Sequence, residues 1–282
     1  MKNLRILTGV ASTLLILLAC KATGGASAPT LVPSQTPAGL NQPSPAPTSQ
    51  PVSTPTLSAI YGKPVSIGGV SFLMVNPVAS EVSSSTTTEL ELPFVNGPAD
   101  LPQHSVLTLD NYGVQGSKIT PKIIVFRAAE YAQYSELITS FLEALKNPYL
   151  DGQPLPQVFG DHNPIQVHGL SFKNGHGFRL LKQINQAPTQ INNAELFYYF
   201  RGLTDDGQYY IQAELPVQSP YLPANSNLDA PLPPEGVPFN LDDPAGYLKL
   251  IVQKLNAAAS GSFTPTLEQL DALIESLEVK GL

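Results

Sequence analysis

Residues 194–217, AELFYYFRGLTDDGQYYIQAELPV, constrain the fold more than any other stretch. Asp206-Gly207 marks a tight turn, because Gly takes positive φ without steric cost and Asp tolerates the left-handed region. Beyond it Tyr209, Ile211, Ala213 and Leu215 alternate with Tyr210, Gln212 and Glu214, the pattern of a half-buried strand. Before it Leu196-Phe197-Tyr198-Tyr199-Phe200 is apolar on both faces, which predicts a strand inside a sheet that is covered twice.

Other segments supply neighbours for this hairpin. Residues 64–67 and 70–75 are short β-type runs split by Gly68-Gly69, a second hairpin signal. Residues 79–88, ASEVSSSTTT, read as a loop, whereas 105–109 and the β-branched run after Pro121 read as strands. Strands are also predicted at 165–172 and 178–184, divided by Lys173-Asn174-Gly175-His176-Gly177. From Glu130 the period becomes helical, with Tyr134, Leu137, Ile138, Phe141, Leu142 and Leu145 on one face and a stop at Lys146-Asn147-Pro148. Asp243-Pro244 and Thr264-Pro265 are two more helix starts, each followed by a leucine- and isoleucine-rich stripe. Between them and the hairpin, residues 218–243 carry six prolines and predict a long irregular loop. The expected fold is α+β: a mostly antiparallel twisted sheet of about six to eight strands with three amphipathic helices on it, in one globular domain over 58–282.

The N-terminus dictates a different environment. MKNLRILTGVASTLLILLAC has Lys2 and Arg5, an apolar run from Ile6 to Leu18, and a small residue before a cysteine. That run is shorter than the ~20 residues a membrane span needs, so it reads as an export signal over 1–19. Leu17-Leu18-Ala19-Cys20 resembles the bacterial lipobox, which implies cleavage before Cys20 and a diacylglycerol on its thiol. Cys20 is the single cysteine of the chain, so no internal disulfide can form. Residues 21–57 are mainly Pro, Ser, Thr, Ala and Gln with Lys21 as the one charge. Such a composition cannot offset the entropy of ordering, so residues 20–57 form a lipidated cysteine and a disordered stalk. At up to ~3.1 Å per residue its reach is on the order of 100 Å.

Lys2 and Arg5 leave with the leader, so 13 basic residues face 22 acidic ones and the remainder carries −9. That surface repels phosphate backbones and excludes nucleic acid as a partner. The expected partners are the membrane, through Cys20, and a protein, peptide or envelope component.

Catalytic motifs are absent: the chain has no G-x-S-x-G, no H-E-x-x-H and no phosphate-loop glycine pattern. Asp161, His162, His168 and His176 are candidate metal ligands, but the histidine spacings of six and eight match no familiar set, and no cofactor is expected. Asp205-Asp206 and Asp242-Asp243 suit a turn and a helix cap. Tyr198, Tyr199, Tyr209 and Tyr210 crowd two strands, where they either line a ligand groove or pack as cross-strand pairs. Arg179 and Arg201, on neighbouring strands, are candidates for an anionic ligand or for pairing with Glu195 or Glu214. Two readings follow: a non-enzymatic envelope-associated binding lipoprotein, and an extracytoplasmic hydrolase or metal-dependent enzyme resting on the histidines and the proline-rich loop.

The segments VFRAAEYAQY, NGHGFRLLKQ, INNAELFYYFRGLTDDGQYY and ELPV resemble uncharacterised lipoproteins of chloroflexus-type bacteria. That resemblance covers about half of the chain and implies surface anchoring but no catalytic residue. The order of elements, a strand meander and then a terminal helix ending in ESLEV, resembles the Mog1/PsbP-type α/β sandwich.

Overall fold

A computed structural model describes residues 62–91, 98–156, 163–184 and 189–282. The expected leader, Cys20, the stalk, Asp161 and His162 lie outside the described residues.

Strand β1 (Gly62–Ile67) turns into β2 (Val70–Val75) through Gly68 and Gly69, whose φ values of +55° and +79° require glycine. There follow β3 (Glu81–Glu91), β4 (Pro98–Asp110) and β5 (Lys122–Arg127), then α1 (Ala128–Ala132) and α2 (Glu136–Ala144). Strands β6 (Ile165–Phe172), β7 (Gly175–Lys182), β8 (Phe197–Thr204) and β9 (Tyr209–Pro216) form a meander, with Gly207 at φ +69° in the last turn. Helices α3 (Pro244–Ala257) and α4 (Leu267–Glu275) and the short β10 (Glu278–Val279) close the chain, and residues 218–243 form no helix or strand.

Two meanders, β3 to β5 and β6 to β9, join where β5 pairs with β9, giving one seven-stranded sheet in the order β3-β4-β5-β9-β8-β7-β6. Every pairing in it is antiparallel, and tight turns join β6 to β7 and β8 to β9. A second sheet has the order β1-β2-β10, and β2 lies against α4. The fold is therefore α+β, with the strands divided between two sheets.

The large sheet is covered on both faces. On one, Tyr198, Phe200, Ile211, Ala213 and Leu215 pack with Phe72 of β2, Ile251 and Leu255 of α3, and Leu270 and Ile274 of α4. On the other, Ile124, Phe126, Phe178, Phe197, Tyr199 and Tyr210 pack with Phe141 and Leu142 of α2. Close backbone approach shapes the first face where Gly177 sits directly opposite Gly202. The Phe200 and Phe172 rings come to 2.6 and 2.9 Å from where a Gly202 Cβ would be, so they occupy the space glycine leaves.

Four expectations need correction. Residues 81–88 are strand, not loop: β3 is an edge strand of the sheet, Ser83 to Thr86 are exposed, and the strand therefore shows no apolar alternation. The helix expected from Glu130 is two helices, because Ser135 turns extended and its Oγ accepts from the Ile138 N–H at 3.2 Å, capping α2. Tyr134, assigned to the buried stripe, is 49% exposed at that break. The last helix starts at Thr266 rather than Thr264, through a reciprocal capping box with Gln269. Finally, β9 is buried on both faces rather than half-buried, with Tyr210 and Gln212 as enclosed as Tyr209.

Candidate functional site

Strand alternation separates the predicted tyrosines and arginines. Tyr198, Tyr209 and Arg179 lie on the face of α3 and α4, while Tyr199, Tyr210 and Arg201 lie on the face of α1 and α2. The four rings therefore line no common groove, and the two guanidinium groups do not converge on one ligand. Nor do they meet the acids proposed for them. Arg179 Nε is 3.2 Å from Asp271 Oδ1 of α4, Glu195 takes Lys118 at 2.6 Å, and Glu214 takes Lys122 at 3.3 Å.

On the α1/α2 face a cationic cluster forms around one ring. Lys182 Nζ lies 4.6 Å and Arg201 Cζ 4.5 Å from the Tyr199 centroid, and Arg201 Nη2 donates to the Tyr199 hydroxyl at 2.9 Å. Arg201 also lies over Phe141 of α2 at 4.9 Å. Both cations are almost completely buried. Placed over aromatic faces and away from water, each is attracted by the ring quadrupole, and Arg201 thereby fastens α2 to β8. The sequence signal for Lys182 is its place at the close of the apolar run Phe178-Arg179-Leu180-Leu181, in a strand buried everywhere but at His176.

His104 is the second unanticipated group. It is 2% exposed, its ring stacks on Phe126 at 4.5 Å, and Phe126 continues the stack to Tyr131 and Tyr210. Nδ1 donates to the Pro102 carbonyl at 2.8 Å, and Nε2 is buried with no hydrogen-bond partner among the described residues. Burial lowers its pKa from 6.5, against the pull of the Pro102 carbonyl and with help from the Lys122 charge. The unfolded chain thus binds the proton more readily, and stability present above the unfolded value is lost as pH falls toward the folded one. Urea midpoints measured between pH ~7.5 and ~5 should fall for the wild type. In His104→Phe that fall should be largely gone; an unchanged pH dependence would place its origin elsewhere.

The remaining histidines are held by separate carboxylates. His168 Nδ1 meets Asp151 Oδ2 at 2.7 Å, and His176 Nδ1 meets Asp205 Oδ1 at 3.1 Å. Burial pushes the Asp151 carboxyl up, but hydrogen bonds from the Gly169 N–H and His168 hold it below the usual range. Among the described residues no three His, Cys, Asp or Glu side chains are placed to hold one metal ion.

The two edges of the large sheet differ. On β6, Asp151 accepts from the Gly169 N–H at 2.7 Å and Asn256 from the Gln166 N–H at 2.6 Å. The Gln166 amide reaches the Leu255 and Ala258 carbonyls at the end of α3. Edge β3 has no such cover among the described residues: Ser83 to Thr86 are exposed, and the strand pairs with β4 alone. Near this end of the sheet an open cleft of about 320 Å³ lies between the β4–β5 loop and Pro216, lined by Thr108, Asp110, Tyr112, Gln115 and Ile119.

Comparison of the chain with family models, with curated proteins and with solved structures finds no match.

Proposed function

We propose that this protein is an exported lipoprotein, tethered to the extracytoplasmic side of a cell membrane through acylated Cys20, whose globular domain is a non-enzymatic binding module. The observation that carries the reading is Leu17-Leu18-Ala19-Cys20 at the end of a basic-then-apolar leader, with Cys20 the one thiol in 282 residues. A stalk of Pro, Ser and Thr after Cys20 suits a domain held at a distance from its membrane. Two or three acyl chains on one cysteine suffice for stable anchoring. No helix among the described residues is long and apolar enough to cross a membrane. The resemblance to uncharacterised lipoproteins accords with this reading. In the folded part, an uncovered strand edge supports binding of a macromolecular partner over turnover of a small molecule.

The test is metabolic labelling with palmitate followed by detergent-phase partitioning. Wild-type protein should carry label and enter the detergent phase, and Cys20→Ser should do neither. Label retained by Cys20→Ser would end the proposal.

A further inference from the structure

We infer that the free edge of β3 is a docking strand for an extended peptide that has an uncharged centre and a basic residue at each end, about eight positions apart. The inference rests on the binding-module reading and names the partner's chemistry.

Unpaired edge strands are templates for another strand, and proteins block them with lysines, prolines, bulges or covering segments. The opposite edge, β6, is blocked by Asp151, Gln166 and Asn256. Between Glu81 and Glu89, β3 reads VSSSTTT, with no proline and no charge. Its one irregularity is a register shift between Thr87 and Glu89, close to the end. Every second residue of a strand that is paired on one side turns its N–H and C=O outward, so Glu81 to Thr87, whose register against β4 is continuous, offers a row of backbone donors and acceptors; past it the Thr87 hydroxyl takes the Glu89 N–H at 3.0 Å. From Glu81 to Glu89 the strand spans about 27 Å at ~3.4 Å per residue, the length of a peptide of about nine residues whose ends lie beside the two glutamates.

Charge selects the occupant. Glu81 stands opposite Asp110 at one end of the row and Glu89 marks the other. None of the three has a cationic partner among the described residues, whereas Glu214 of β9 takes Lys122 at 3.3 Å. A second copy of this chain fits poorly, because the symmetric antiparallel register centred on Ser85 sets Glu81 against Glu89, like charges directly opposed. A peptide with Lys or Arg at both ends places opposite charges there instead. Backbone pairing supplies the affinity, and the terminal charges supply register and selectivity.

The experiment uses the full chain in detergent micelles and a blocked nine-residue peptide of alternating Thr and Val with Lys at both ends, followed by fluorescence anisotropy. Saturable binding is expected, weakened roughly five- to tenfold when both Lys are changed to Glu. The preference should invert in Glu81→Lys/Glu89→Lys. Two further peptides carry N-methyl groups on one or the other alternate set of amides. One set should abolish binding and the other should leave it intact, since only one peptide edge can pair. These peptide arms need no protein variant and stand even if the double mutant folds poorly. No saturable binding, indifference to either N-methyl set, or a dimer in sedimentation that buries β3 would each overturn the inference. A peptide that fails while palmitate label still depends on Cys20 rejects the edge alone; label that persists in Cys20→Ser rejects the anchor alone.

Discussion

Asp271→Ala is expected to destabilise the protein by about 3–5 kcal/mol in equilibrium urea unfolding, the usual cost of leaving a buried ion-pair partner uncompensated. Asp271 of α4 receives Arg179 Nε at 3.2 Å and the Tyr198 hydroxyl at 2.9 Å on the same oxygen. Arg179 Nη1 also donates to the Gln166 carbonyl, so one guanidinium joins β6, β7 and α4. The Arg179 side chain is 7% exposed and Tyr198 is wholly buried, so water cannot replace the lost carboxylate. Burial, and then the Asp271 charge, push the Tyr198 phenol well above its ordinary range, so it acts here only as a donor. Arg179→Met/Asp271→Leu, which removes both charges, should recover most of the loss. If the double variant is as unstable as the single one, the cost lies in α4 packing and not in the orphaned charge.

Phe197→Ala and Phe200→Ala should each cost about 3–5 kcal/mol, although the two rings point to opposite sides of β8. Phe200 is fully buried among the α3/α4 core, edge-on to Phe172 at 6.0 Å and over Gly202. Phe197 is 1% exposed on the α1/α2 side, edge-on to Tyr199 at 5.6 Å. Equal losses in parallel unfolding curves would establish that both layers bear on the central strand. A neutral Phe197→Ala would mean that the α1/α2 layer adds little to global stability and opens independently.

What the sequence made legible follows from where burial leaves a pattern. The double apolar face of β8 is legible because no charged or amide side chain interrupts residues 196–200 and an aromatic ring stands on each face. β9 was misjudged because Tyr210, Gln212 and Glu214 present polar tips, yet Tyr210 is buried through its ring by Phe126, Tyr131 and Phe141. Tyrosine counts as polar in an alternation pattern and as apolar in a core. β3 is hidden for the converse reason, since among Glu81 to Glu89 only Val82 and Thr87 are half-buried and one apolar side chain makes no alternation. The division at Ser135 was hidden because the apolar spacing continues across it and one capping hydroxyl decides the break. Arg179 with Asp271, and Lys182 with Tyr199, depend on contacts between separate elements, which no local period encodes.

The pairing of β2 with β10 has a consequence for the timing of synthesis. The Leu73 N–H bonds the Ser276 hydroxyl 203 positions later, Val70 faces Val279, and Asn174 clamps both backbone groups of Val279. At ~5–20 residues per second, the first hairpin emerges roughly 10–40 s before its third strand exists. During that interval Phe72 and Met74, both buried in the finished domain, have no α4 to cover them. Completion of the smaller sheet is therefore a late event set by the arrival of α4 and β10, and a chain that stalls before them exposes an apolar β1–β2 ribbon to any neighbour.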